Sequence, residues 1–342
     1  MNLLIIFGGK SGEHDVSCLS AQSVLNNISK EKYNIVKVGI TKEGHWLKTD
    51  ATPEEIASGK WTELQNTPAF ISPDPTDKGL YCNGEIIKID AIFPVMHGDY
   101  CEDGCIQGLF ELSGIPYVGP GVLASSAGMD KSATKLFAKE AGIPQADWLI
   151  LNAPFTKDMV ASVEAKFNYP VFIKPCNAGS SLGVSKVKNA DELEKAISEA
   201  AKVDNKILCE EFIDGHEVEC AVIGNDEPYA STVGEIVASN EFYDYNAKYI
   251  DNASITNIPA DIPADTMANI RKYAVKIFKA LGCKGLSRVD FFVHRKTGEI
   301  FFNEINTLPG FTSISMYPKL LEHDGIPYSD IIDKLIELAL NN

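Results

Sequence analysis

Two runs near the C-terminus decide the fold: Arg288-Val-Asp290-Phe-Phe-Val293, then, past a polar turn, Ile300-Phe-Phe302-Asn-Glu304-Ile-Asn306. Phe291–Val293 and Ile300–Phe302 are apolar and β-prone, and the residues between them include Lys296, Thr297 and Gly298. That spacing predicts an antiparallel hairpin. Asp290 stands just before one expected strand, and Glu304 and Asn306 just after the other, so the turn brings them side by side. Residues two apart on an extended chain share a face, as Glu304 and Asn306 do. Three oxygen donors with no Cys or His among them suit Mg²⁺. Mg²⁺ held by carboxylates in turn suggests nucleotide phosphates. The bland alternative is three polar strand-end residues with no joint role. Arg288 in the same cluster, and a phosphate-type loop elsewhere, weigh against it.

Working outward, 342 residues allow two or three packed units. A 45% hydrophobic and 23% charged composition is that of a soluble globular protein. A net charge of −16 argues against nonspecific binding to nucleic acid or an anionic membrane, but a local lysine cluster can still hold a nucleotide. The opening Met1–Phe7 run lacks a basic flank and a cleavage site, so it reads as a first β-strand and not as a signal peptide. Eight cysteines without a secretion signal read as reduced thiols and place the protein in the cytoplasm.

The N-terminal third alternates strand and helix: strands at 3–7, 35–40 and 89–94, helices at 17–28 and 107–112. This βαβ pattern implies a parallel sheet. The polar, proline-containing stretch 51–75 reads as a surface excursion. Further on come helices at 129–141, 190–201, 264–281 and 330–340, and strands at 148–151, 171–174, 207–212 and 217–223. The expected units are 1–120, 121–209 and 210–342.

Several constellations carry chemistry. Lys174 ends a strand and leads into Pro-Cys-Asn-Ala-Gly179-Ser180-Ser181-Leu-Gly183, a turn whose backbone N–H groups and hydroxyls can cradle phosphate oxygens. Lys131, alone a solvated helix lysine, could be the second arm of a phosphate clamp with Lys174. The stretch 209–217 mixes acids with an apolar pair, and carboxylates can bind an exocyclic amine and ribose hydroxyls, although exposed strand-edge charge is the bland reading. Residues 241–249 interleave four aromatics with Asp244, Asn246 and Lys248, as a water-excluding loop does. Gly8–Ser17 joins the first strand to the first helix and puts Glu13 at a carboxyl strand end, where α/β sheets bind ligands, with His97-Gly98 expected nearby. Neither a Walker A loop nor a dinucleotide G-x-G-x-x-G fingerprint is present.

Together the segments GGKSGEHDVS (8–17), HGDYCEDGCIQG (97–108), GMDKSATK (128–135), IKPCNAGSSLG (173–183), FYDYNAKY (242–249), LSRVDFF (286–292) and FNEINTLPGFTSISMYP (302–318) resemble, in order, those of D-alanine–D-alanine ligases of the ATP-grasp superfamily. The resemblance covers essentially the whole chain. It implies an α/β, three-lobed ATP-grasp fold with an N-terminal Rossmann-like parallel-sheet domain. It implies ATP and two Mg²⁺ ions, for which Mn²⁺ can substitute, with Asp290, Glu304 and Asn306 as metal ligands. Lys131, Lys174, Lys248 and Ser181 are then phosphate contacts, and Glu210, Phe212, Ile213 and Glu217 nucleoside contacts. Glu13, Ser180 and Tyr249 form the family's hydrogen-bonded triad, and Arg288 with the Gly310 backbone supplies the oxyanion donors. Glu13, Val16, His97, Tyr243, Gly310, Ser315 and Met316 are the D-alanine contacts. A homodimer is expected on the same ground. Ala178 and Glu211 depart from common versions, which have a frequently acidic residue and a frequent Lys there.

The implied reaction is physically coherent: ATP phosphorylates one carboxylate, and the amine of a second D-alanine displaces phosphate. Three other readings compete: a ligase that takes D-lactate or D-serine second, another ATP-grasp ligase, and a non-catalytic nucleotide-binding module. The Tyr249 loop and Met316 favour D-alanine over the first, the 8–17 segment disfavours the second, and intact Arg288, Asp290, Glu304 and Asn306 disfavour the third.

Overall fold

The structure, a computed structural model, describes residues 1–237 and 255–342, which form three sheets. In the first, β1 (Asn2–Gly8) pairs in parallel with β2 (Asn34–Ile40) and β7 (Ala91–Met96). The parallel expectation holds for these three strands only. β3 (Trp46–Lys48), β4 (Thr67–Ile71), β5 (Gly79–Cys82) and β6 (Glu85–Lys88) extend the sheet antiparallel, in the order β6-β5-β4-β3-β2-β1-β7.

The stretch 51–75 is therefore no mere surface excursion. Thr52 and Glu55 form a reciprocal capping box that starts a helix at Pro53–Ala57. Trp61 just beyond is fully buried, its ring edge-on to Phe7 at 5.1 Å. Gly39 makes room for it, since a Cβ there would lie 2.4 Å from the indole. Burial of Ile56 and Trp61 pulls this polar segment onto the sheet and outweighs its loop-like composition.

The second sheet is antiparallel, in the order β10-β9-β11-β8, from β8 (Trp148–Asn152), β9 (Val171–Pro175), β10 (Ser185–Val187) and β11 (Lys206–Glu211). The helix Ala190–Ala200 lays Leu193 and Ile197 on Val171, Ile173 and Ile207.

The third sheet runs β14-β13-β12-β15-β16, from β12 (Gly215–Gly224), β13 (Tyr229–Val237), β14 (Ile255–Asn257), β15 (Gly285–His294) and β16 (Ile300–Asn306). The helix Ala264–Ala280 backs it through Ile270, Ala274, Ile277 and Phe278. Its hairpin is longer than the apolar runs suggested, and Arg288, Asp290, Glu304 and Asn306 lie inside the strands, not beyond their ends.

Two boundaries differ from the sequence reading. β11 runs across 209/210 and pairs wholly within the second sheet, and the third sheet begins at Gly215. The expected helix 129–141 is two helices, Val122–Met129 and Lys131–Glu140, broken where the Asp130 carboxylate accepts from Ser132 N and Ala133 N. Both pack into the third sheet's core through Ala124, Ala127 and Ala138. The C-terminal helices Met316–His323 and Tyr328–Leu340 share a core with β1, β7 and the first helix, His14–Asn27. The three sheets thus meet around one cleft of about 650 Å³.

Candidate active site

The third sheet supplies one wall as two cross-strand rows. Glu219, Asp290 and Glu304 are register partners on β12, β15 and β16, and Ala221, Arg288 and Asn306 form the next row. Residues in one row present their side chains to one face. Arg288 lies between the acids: its Nε and Nη2 donate to the two Asp290 oxygens at 2.8 and 2.7 Å, and Nε lies 3.0 Å from Glu219 Oε2. Burial opposes the guanidinium charge, but Asp290 and Glu219 outweigh it and hold the proton well above the ordinary arginine range. The fork is thereby fixed in place. The sequence reading passed over Glu219, although its alternation with Val218 and Cys220 marks it as facing the same side as Glu217.

Asn306 Nδ2 donates to Asp290 Oδ2 at 3.0 Å, and Glu304 lies 3.9 Å from Lys131 Nζ. Among the described residues no three His, Cys, Asp or Glu side chains are gathered into a ready-made metal cage. The donors are nevertheless all oxygens once the Asn306 amide is turned end for end, and two of them are carboxylates. Such a set fits a hard divalent cation.

The second sheet supplies the lysines. Lys174 on β9 donates to Glu210 Oε2 on β11 at 2.8 Å, and Lys135 pairs with Oε1 of the same carboxylate. Glu210 is 4% exposed, and its burial raises the cost of charge; Lys135 and Lys174 more than offset this and pull the carboxyl down to about 2. Lys174 stays protonated despite burial because Glu210 and then Glu304 and Glu217 face it. The Glu210 carboxylate thus carries one lysine on each oxygen, and it still lines the cleft. The sequence reading missed Lys135, which shares its side of the helix with Lys131, Ser132 and Lys139 and so carries no local sign of burial. Lys131 heads that helix and donates to the Ala178 carbonyl at 2.6 Å, which ties it to the Gly/Ser loop. Phe172 and Phe212, 6.1 Å apart, line the same cleft with Ile213 and Glu217.

Ser180 and Ser181 both hold left-handed φ values, +50° and +58°. That conformation is costly for residues with a Cβ and points successive N–H groups into a concave turn. Ser180 Oγ donates to Glu13 Oε1, so the loop after β9 meets the loop after β1. Gly179 permits the approach, because a Cβ there would sit 2.8 Å from the Glu13 carboxylate. Glu102 accepts from Gly98 N at 2.9 Å and is near enough to Glu13 to feel its charge. Burial, and then the Glu13 charge, push its carboxyl up to about 8. The sequence reading singled out the motif around Glu102 but not the residue.

Gly310 and Ser315 touch closely: a Cβ at 310 would lie 2.7 Å from Ser315 Oγ. Ser315 precedes the helix that Met316 begins, and a helix N-terminus favours a carboxylate. Met316 lines the cleft, but it is 5% exposed with its Cε against Gly234, so it is as much core as wall. His97 also lines the cleft, yet both ring nitrogens are engaged, with Ser20 and with the Leu308 carbonyl. Val16 is buried in the first helix and is not part of the cleft wall. Tyr243, Lys248 and Tyr249, with the rest of 238–254, lie outside the described residues.

This convergence has close relatives. Residues 2–120 match the family model described as D-ala D-ala ligase N-terminus, and residues 137–337 the one described as D-ala D-ala ligase C-terminus. The chain belongs to the D-alanine–D-alanine ligase family. It is 54% identical to the D-alanine–D-alanine ligase of Acetivibrio thermocellus, over 99% of this chain and 95% of that one. Among solved structures it is similar to the VanG D-Ala:D-Ser ligase from Enterococcus faecalis, with a TM-score of 0.92, 42% identity and 99% of each chain covered. It is also similar to the D-alanine–D-alanine ligase from Bacillus anthracis complexed with ATP, with a TM-score of 0.74, 27% identity, and 100% of this chain and 98% of that one covered. In this chain the cleft is lined by residues on or next to all three sheets.

Proposed function

We propose that this chain joins two D-alanines into D-alanyl-D-alanine at the expense of ATP, through an acyl phosphate, to supply a peptidoglycan precursor. The observation that carries the reading is the single cleft shared by Glu13, Ser180, Lys131, Lys174, Arg288 and Gly310, set in a chain 54% identical to a ligase of that name. Lys131, Lys174 and the Ser180-Ser181 backbone hold the ATP phosphates. Phe172, Phe212 and Ile213 flank the adenine, and Glu217 takes the ribose. Glu13 takes the ammonium of the first D-alanine. Asp290, Glu304 and Asn306 would hold Mg²⁺, or Mn²⁺ in its stead, which offsets phosphate charge when bound. Arg288 and the Gly310 N–H receive the charge that develops on the reacting carboxyl oxygen. Ser315 and the helix it heads take the carboxylate of the second D-alanine, with Met316 beside its methyl group. Tyr243, Lys248 and Tyr249 complete the site from the 238–254 segment.

The working form is a cytoplasmic homodimer, without nucleic acid or membrane partners. No described helix is long and apolar enough to cross a membrane. The test is ATP-dependent phosphate release with D-alanine, with the product identified by mass. A second reading has one observation in its favour, the likeness to a D-Ala:D-Ser ligase, and the same assay with D-serine added decides it.

A further inference from the structure

Four groups close a ring around Pro309 and Gly310. Phe311 N lies 3.3 Å from Ser20 Oγ, Ser20 Oγ lies 3.1 Å from His97 Nε2, and His97 Nδ1 lies 3.0 Å from the Leu308 carbonyl oxygen. Ser20 and His97 come from the first helix and the end of β7, and the two backbone groups flank Pro309-Gly310.

The proton directions follow from chemistry. A carbonyl only accepts, so His97 Nδ1 carries the hydrogen that faces Leu308. Burial lowers the His97 pKa, which keeps the ring neutral and leaves Nε2 an acceptor. The Ser20 hydroxyl must then donate to Nε2. A backbone N–H only donates, so Ser20 Oγ accepts from Phe311. Each group has one role, and both ends return to the same four-residue stretch.

The ring is buried and braced. Ser20 is fully buried, and His97, Leu308 and Phe311 are each at most 5% exposed. Phe311 is pinned from the other side, where Tyr328 Oη donates to its carbonyl at 2.5 Å. Its ring packs edge-on against Phe93 at 5.8 Å. A satisfied network in such a setting rigidifies what it holds.

We propose that Ser20 is a positioning residue for ligation: with His97 it locks the Leu308–Phe311 backbone and so fixes the Gly310 N–H at the reacting carboxyl oxygen. This rests on the reading of Gly310 as an oxyanion donor. His97 accordingly acts through the backbone and not, as its sequence assignment implied, as a direct D-alanine contact.

The test compares the unmodified protein with Ser20→Ala, which removes both bonds at Oγ, and His97→Asn, which keeps a donor near the Nδ1 position but no acceptor for Ser20. Both variants should lower kcat for dipeptide formation by about ten- to a hundredfold, the scale of a misplaced oxyanion donor and less than that of a lost one. KM for ATP should stay within about twofold. A phosphinate analogue of the tetrahedral adduct should lose affinity in parallel with kcat, since it reports the transition state. Without substrate, ring ¹⁵N shifts of His97 should show the Nδ1–H tautomer, and Ser20→Ala should speed amide exchange at Phe311. An Nε2–H tautomer, or unchanged exchange, would overturn the circuit. Rates within twofold of the unmodified protein, or equal losses in kcat and ATP binding, would overturn the positioning role. If the unmodified protein makes no dipeptide, the ligase reading fails, and the tautomer and exchange measurements decide the circuit by themselves.

Discussion

Lys174 and Glu210 pair at 2.8 Å from neighbouring strands of the second sheet, and Lys135 holds the other oxygen of the same buried carboxylate. The arrangement keeps a charged lysine in a water-poor cleft, where an unpaired ammonium would shed its proton.

It also sets an acid limit. The Glu210 carboxyl is held down to about 2 when folded, against an ordinary 4.5. Its contribution is therefore fully present above pH 4.5 and is lost as the pH falls towards 2. The shift corresponds to on the order of 3 kcal/mol. Denaturant unfolding at pH 6 and pH 3 should show this loss in the unmodified protein and a smaller one in Glu210→Gln. That variant should also be destabilised at pH 6 by several kcal/mol, because two buried lysines lose their counter-charge. Equal pH dependence in the two proteins would remove Glu210 as the cause.

Glu102 predicts a proton count. Its carboxyl stands at about 8 beside Glu13, so it is largely protonated at pH 7. An ammonium bound at Glu13 adds a nearby positive charge, lowers that pKa and expels the proton. Calorimetry of D-alanine binding in buffers of different ionisation enthalpy should show proton release at pH 7 that is absent in Glu102→Gln. Heats independent of buffer in the unmodified protein would contradict it.

Glu304→Gln should abolish turnover at saturating Mg²⁺ while the fold survives, because in the proposed site its partly exposed side chain would serve the metal and not the core. Near-normal turnover in that variant would take Glu304 out of the metal site.

Arg288→Lys keeps a charge but loses the fork that Asp290 holds through two bonds. kcat should fall by about 10²–10³, the cost of an oxyanion donor, with ATP affinity little changed. Equal losses in both would make Arg288 a ground-state phosphate ligand. A thermal melt of the variant separates either outcome from unfolding.

Much of this site is legible in the chain because its residues lie in a hairpin and in turns that have strong local signals. The hairpin at 285–306, the Gly/Ser loop after Lys174 and the loop with Glu13 all read correctly as elements. What sequence does not show is pairing across distance. Nothing local to Glu210 announces that Lys135 and Lys174 meet it, and nothing local to Ser20 announces His97. Trp61 was lost among polar neighbours because one large buried ring decides the path of a segment whose average composition is that of a loop. Strand lengths were underread for a related reason. Polar residues such as Arg288 and Asn306 extend a strand when cross-strand partners satisfy them, which hydropathy alone cannot reveal.

The most direct measurement supplies ATP, Mg²⁺ and equal D-alanine, D-serine and D-lactate, and scores products by mass. On the proposed reading Met316 would give the second substrate an apolar wall with no donor for a hydroxyl, and a pocket of that kind rejects an added hydroxyl by about a hundredfold. D-alanyl-D-alanine should therefore dominate, with one phosphate released per dipeptide. Dominance of D-alanyl-D-serine or the depsipeptide would contradict the substrate assignment, and absence of any ATP-dependent dipeptide would contradict the ligase itself.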